Sequence, residues 1–247
     1  MERARLTRYG LLSVTGEDAR EFLHAQLTKD IRGLPADRAA FAGWCSAKGR
    51  LLASLLVVPW QDGFVLQLAR DLAPAIAKRL SMFVLRSKVK IADVSDAWQQ
   101  MGEWREHFPG ELFTLETEGN LVQVKVAERR ALLLGLDVEM RRLEAAASED
   151  AWTLEEIRDG RPFISAATQD QFVPQMVNLE KIGGVDFQKG CYPGQEIVAR
   201  AQYRGEVKRR MVRLPAPAGA KLQPGQDFNG GVVVDAAGGE VLAVVPV

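Results

Sequence analysis

Along most of this chain apolar and polar residues alternate with the two-residue period of strands, and a few stretches carry the 3.6-residue period of helices. Residues 6–14 read as a strand closed by Thr15-Gly16. Either of those can cap a helix over 17–27, whose first turn carries Glu17 and Asp18, the sign the helix dipole favours. Phe22, Leu23, Gln26 and Leu27 share a mostly apolar stripe facing a sheet, and His24 falls on the side as a partly exposed structural residue. Residues 39–44, 51–58 and 64–68 read as strands. A helix over 72–85 tolerates Pro74 in its first turn and turns Ile76, Leu80, Phe83 and Val84 inward. A strand over 88–92, a helix over 96–107 and strands at 112–117, 121–126 and 131–134 follow, the first two of that trio joined at Gly119-Asn120. Helices are predicted over 139–147 and 152–159, the second stopped at Gly160. Beyond Arg204, strands are predicted over 206–214, 232–235 and 240–245. The order predicts an antiparallel α+β fold rather than a doubly wound sheet.

Composition changes little in that picture. The 247 residues suffice for one large or two modest domains, and 47% hydrophobic with 26% charged is ordinary for a globular chain. Lysine plus arginine equals aspartate plus glutamate at 32 each, so no global field draws the chain to nucleic acid or anionic lipid. The two cysteines, Cys45 and Cys191, are too few for a disulfide framework and fit a reducing compartment. They are also too few for the usual four-cysteine iron–sulfur site, so a cluster here needs a second chain or non-protein ligands. The first residues carry no apolar core of signal-peptide length, and no apolar run approaches a membrane span. The expectation is a bacterial cytoplasmic protein without a membrane partner.

Candidate chemistry concentrates at Lys189-Gly190-Cys191-Tyr192-Pro193-Gly194-Gln195-Glu196, followed by a helix. Two glycines and a proline make this a loop. A neighbouring cation and the N–H groups of a helix start both favour thiolate over thiol. A packed, inert cysteine is the competing reading for Cys191, and the packed reading is the one adopted for Cys45. Only His24 and His107 are available for a cysteine–histidine dyad; neither sits in a promising loop, and His107 reads as a turn residue beside Phe108-Pro109-Gly110. Serine-elbow, zinc, Walker and dinucleotide motifs are absent. Arg200, Arg204, Lys208, Arg209, Arg210 and Arg213 form a basic stretch, read as a solvated face or an anion contact. It lacks the aromatic interleaving of an RNA platform, so direct nucleic-acid binding ranks low.

The run 158–204, with Arg-Asp-Gly-Arg-Pro, Gln-Phe-Val-Pro-Gln-Met-Val-Asn-Leu-Glu and the cysteine loop, resembles the YgfZ family. Its members are folate-binding proteins implicated in iron–sulfur protein maturation and are relatives of the glycine cleavage aminomethyltransferase. The resemblance implies an aminomethyltransferase-like folate-binding fold: antiparallel sheets and helices around a central channel over 1–205, with two interlocked sub-layers, and a short β-barrel over 206–247. It implies tetrahydrofolate or a derivative as cofactor, with Trp44, Lys48, Gly49, Arg158, Tyr192, Gln195, Glu196 and Arg200 as contacts. Cys191 is implied as the functional thiol with Lys189 beside it, carrying a possible transient iron–sulfur cluster. The implied partners are iron–sulfur enzymes, tRNA-thiolating ones among them, or assembly factors. Two departures from the aminomethyltransferases stand out. Ala53 and Ser54 fall where those enzymes keep an essential acid, and Arg158 falls where a glutamate holds the pterin. An accessory role in iron–sulfur assembly or repair is therefore favoured over a folate-dependent one-carbon transfer without glycine-cleavage activity. An RNA-binding adaptor ranks third.

Overall fold

Strand-forming runs separated by tight turns leave this chain mostly β. In the computed structural model, which describes residues 1–247, the order is β1 (Glu2–Arg5), β2 (Tyr9–Thr15), α1 (Ala19–Gln26), β3 (Ala40–Cys45), β4 (Leu51–Trp60), β5 (Gly63–Ala69), α2 (Ala73–Ser81), β6 (Lys90–Asp93), β7 (Trp98–Trp104), β8 (Leu115–Glu118), β9 (Leu121–Ala127) and β10 (Arg130–Leu136). Then come α3 (Asp137–Met140), α4 (Glu149–Arg158), a 3₁₀ turn (Pro174–Val177), α5 (Gln195–Tyr203), β11 (Arg209–Pro215), β12 (Asp227–Phe228), β13 (Gly231–Ala237) and β14 (Glu240–Pro246).

These strands build three antiparallel sheets, ordered β3-β4-β5-β2-β6, β1-β7-β10-β9-β8 and β11-β14-β13-β12. The two five-stranded sheets interlock, because β1 joins the second sheet and β2 the first. Leu11, Leu56, Val58 and Val65 of one sheet share a core with Val122, Val124, Leu132 and Leu134 of the other. The opposite face of the first sheet packs on α1, α2 and the segment before α5, through Leu12, Leu23, Leu66, Ile76 and Leu179. The α+β class with antiparallel sheets is as expected.

Four local expectations are corrected. Residues 98–104 form β7, not a helix, because this segment lies between β1 and β10 and pairs with both. The helix expected over 139–147 is only Asp137–Met140, since Met140 alone anchors it and so short a helix has no independent stability. Helix α2 stops at Ser81, leaving Phe83 exposed rather than inward, while Ile76, Leu80 and Val84 meet the core. The first helix is preceded by Asp18, not capped by Thr15 or Gly16.

The C-terminal strands form a curled four-stranded half-barrel rather than a closed barrel. Met211, Val234, Leu242 and Val244 on one face belong to the main core, while Val233, Val241 and Ala243 make a small cluster on the other. Ion pairs Arg8–Asp235 (2.9 Å), Arg158–Glu240 (2.8 Å) and Arg210–Glu180 (2.6 Å) fasten the half-barrel to the body.

Candidate functional site: an exposed thiol loop and a ligand-sized cavity

The loop 189–194 is pinned at both ends. At its start, Lys189 Nζ donates to the carbonyls of His24 and Leu27 (2.6 Å to the latter), two acceptors that the end of α1 leaves open. The same ammonium lies 4.9 Å above the ring of Tyr192. Burial draws the Lys189 ammonium down to about 8. At the loop's end Gly194 has φ +79°, and a side chain there would sit 2.6 Å from Gly49 Cα. Gly49, φ +69°, closes the β3–β4 turn against Ile197. Two glycines therefore let two backbones touch, and the thiol loop rests on this hairpin turn. Gln195 Nε2 reaches back to the carbonyl of Lys189 at 3.3 Å.

This pinning separates the two cysteines. Cys191 is exposed, whereas Cys45 is buried in the main core near Tyr192. Burial pushes the Cys45 thiol up to about 12 and raises the Tyr192 phenol as well. Cys45 is the packed thiol that its sequence context suggested.

Beneath the loop lies a residue that the sequence reading placed at the surface. His24 is buried, and its Nδ1 stands 2.9 Å from Asp30 Oδ1. Burial first, then the cations Lys189 and Arg32, hold its pKa below the usual histidine value, against the pull of Asp30. Asp30 in turn lines a cavity of about 470 Å³ with Lys29, Leu34, Arg38, Phe41, Phe113 and Ile182 among its walls. That volume is in the range of small-molecule sites. Lys29 pairs with Asp186 at 3.1 Å, and Arg38 with Glu111. Phe41, packed edge-on to Phe113 at 5.3 Å, also borders a second, interior space of about 30 Å³ walled by Tyr9, Phe163, Gln67, Glu156 and Arg161. This inner space has room for about one or two waters. Phe41 is the one residue that lines both spaces.

All eight ligand contacts implied by resemblance lie elsewhere. Trp44 is a core residue: its ring packs edge-on to Phe83, Arg79 stacks on it, and its indole N–H donates to Gln26 at 3.3 Å. A strand buried on both faces leaves it no open side. Lys48 is exposed on the hairpin turn, and Gly49, Tyr192 and Gln195 serve to hold the thiol loop. Glu196 and Arg200 pair with each other at 3.5 Å on the outer side of α5. Arg158 is occupied by Glu155 and Glu240. None of these lines either space. The lining residues Lys29, Arg38, Phe41, Phe113, Glu156 and Arg161 come from distant loops, β3 and α4 and share no local motif; only the tertiary fold brings them together. Ser54 borders the inner space, and its hydroxyl accepts from Ile164 N at 3.1 Å. Of the basic stretch, Arg210 and Arg213 are paired with Glu180 and Glu240. No helix is long and apolar enough to cross a membrane.

Interlocked antiparallel sheets, followed by a C-terminal half-barrel, define an aminomethyltransferase-like fold. The glycine cleavage system aminomethyltransferase T from Bartonella henselae superposes with a TM-score of 0.67, covering 99% of this chain and 78% of that one at 14% identity. No family model matches the chain. Among curated proteins, the tRNA-modifying protein YgfZ of Vibrio vulnificus is 33% identical over 222 residues, 85% of this chain and 68% of the relative. That of Serratia proteamaculans is 31% identical over 244 residues, 91% of this chain and 74% of the relative. The chain belongs to the YgfZ family.

Proposed function

We propose that this chain is a folate-binding accessory protein for the assembly or repair of iron–sulfur enzymes, tRNA-modifying ones among them, with Cys191 as its working thiol. The observation that carries the reading is the contrast between the two cysteines: one is sealed in the core, and the other is held out on a loop pinned by Lys189 and Gly194. Family membership supplies the class of client, through relatives that bear the name tRNA-modifying protein.

The cavity fits a folate in its donor set. Phe41, Phe113, Leu34 and Ile182 offer apolar walls, and Lys29 and Arg38 would exchange their partners Asp186 and Glu111 for the carboxylates of a glutamate tail. The folate would supply a one-carbon unit or a reduced pterin there. The chain carries no acid at positions 53 and 54, which argues against aminomethyl transfer as its own reaction. A resident iron–sulfur cluster does not fit these residues: no group of three or more His, Cys, Asp or Glu side chains comes together. The cluster in this reading is cargo on the client, and Cys191 acts as a thiol.

Calorimetric titration of tetrahydrofolate tests the reading. Wild type and Cys191→Ser are expected to bind alike, and Arg38→Ala about tenfold more weakly, the loss of one charge-assisted contact. No heat with wild type would remove folate from the reading and leave a cysteine-centred scaffold.

A further inference from the structure

The nucleophile-bearing loop lies directly on the buried imidazole of His24. Gly190 immediately precedes Cys191, and outside residues 189–191 the one atom within 4 Å of a Cβ built on Gly190 is His24 Nε2, at 3.5 Å. Nδ1, on the other side of the ring, is taken by Asp30 at 2.9 Å. The Arg32 N–H also approaches Nδ1, at 3.5 Å, but the closer carboxylate outweighs it, places the proton on Nδ1 and leaves the Nε2 lone pair facing the loop. Cys191 Cα is one peptide, about 3.8 Å, from Gly190 Cα. Its exposed side chain makes no hydrogen bond to the ring as it stands, so the approach requires a rotation about χ1 toward that nitrogen. Because residue 190 has no side chain, the imidazole meets the loop backbone directly.

We propose that Asp30, His24 and Cys191 form a relay in which His24 accepts the thiol proton of Cys191. The S–H bond breaks and an Nε2–H bond forms, leaving a thiolate and an imidazolium whose charge the Asp30 carboxylate balances. The thiolate keeps the electron pair, and no oxidant or further reactant enters. A carboxylate-oriented histidine beside a cysteine is the general arrangement for activating a thiol. The other charges facing the imidazole are Lys189 from the loop, Arg32 from the turn after α1 and Glu21 from α1 itself. The two cations favour neutral His24 before the transfer and, beside the new thiolate, favour the anion after it.

The inference rests on Cys191 being a working thiol, and its test needs neither folate nor client. The rate of iodoacetamide alkylation at Cys191 is followed by mass spectrometry from pH 5 to 10, in a Cys45→Ser background. With the relay, the wild-type rate climbs through the imidazole range. In His24→Gln it climbs only through the ordinary thiol range near about 8.5, and is about tenfold slower at pH 7. Asp30→Asn lies between them. Gly190→Ala guards against a variant that misfolds: its φ is not left-handed and the methyl meets only Nε2, so it covers the nitrogen without disturbing the loop. It is expected to give the His24→Gln profile. Superimposable profiles for wild type and all three variants would overturn the relay while leaving the thiol reading intact. A wild-type Cys191 that does not alkylate at all would overturn both.

Discussion

Histidine 24 shows how much a single side chain's setting can depend on residues far from it in sequence. Its position on α1 reads as the flank of an amphipathic helix, yet Lys189 and Gly190, more than 160 positions later, roof it over. Its folded pKa lies below the ordinary value, so as pH falls the unfolded chain takes up this proton first. The stability tied to neutral His24 is therefore complete above about 6.5 and is lost as pH drops below it. Thermal unfolding at pH 7.5 and 5.5 is expected to show a smaller acid-induced fall in Tm for His24→Gln than for wild type; equal falls would place the acid sensitivity elsewhere. The exposed cysteine, by contrast, was legible: glycine and proline around Cys191 demand an irregular backbone, and irregular backbone lies at the surface. Trp44 was not, because a tryptophan beside a turn looks the same in one dimension whether its ring faces a ligand or, as here, Phe83 and Arg79.

At the scale of elements, β7 is the instructive case. Trp98, Met101 and Trp104 repeat at helical spacing, and the sequence pattern alone supports a helix. Tertiary pairing overrides it. Gln100 donates to the Tyr9 carbonyl and accepts from Gln67 at 2.8 Å, and Glu103 is fully buried against Arg3 and Arg105. Polar residues facing inward in a central strand thus break the alternation that would reveal it. Gly102 lies under the indole of Trp152, where a Cβ would come within 2.6 Å of Cδ2. Gly102→Ala is expected to destabilise by about 1–3 kcal/mol through overpacking, read as a lower urea midpoint. A helix would give the opposite sign, since alanine is favoured over glycine there by roughly 1 kcal/mol. The strands at 39–44, 51–58, 64–68 and 121–126 were legible because they are apolar runs bounded by turn residues, and the folded strands fall within a few residues of them.

For the whole molecule, the division at residue 205 that the sequence suggests meets a shared core. Met211, Val234, Leu242 and Val244 pack with Leu179, Val198 and their neighbours from the body. Burying four such side chains contributes about 6–12 kcal/mol, the size of a typical domain's net stability. A chain ending at residue 205 is expected to lose its cooperative urea transition; a sharp transition would make 206–247 a separable unit. The cavity was not legible, since its walls come from the loop between α1 and β3, β3 itself, the turn before β8 and the loop before α5, and no single segment carries a signature of it.

The exchange of strands between the two large sheets also sets a schedule for the chain as it is made. Glu2–Arg5 finds its partner only in Trp98–Trp104, while Tyr9–Thr15, its neighbour in sequence, pairs with Gly63–Ala69. At synthesis rates of about 5–20 residues per second, the first strand leaves the ribosome several seconds before its partner exists. During that interval its N–H and C=O edge is open to other chains. Arg3 and Arg5 in that four-residue strand give the waiting segment positive charge, which repels copies of itself on neighbouring ribosomes.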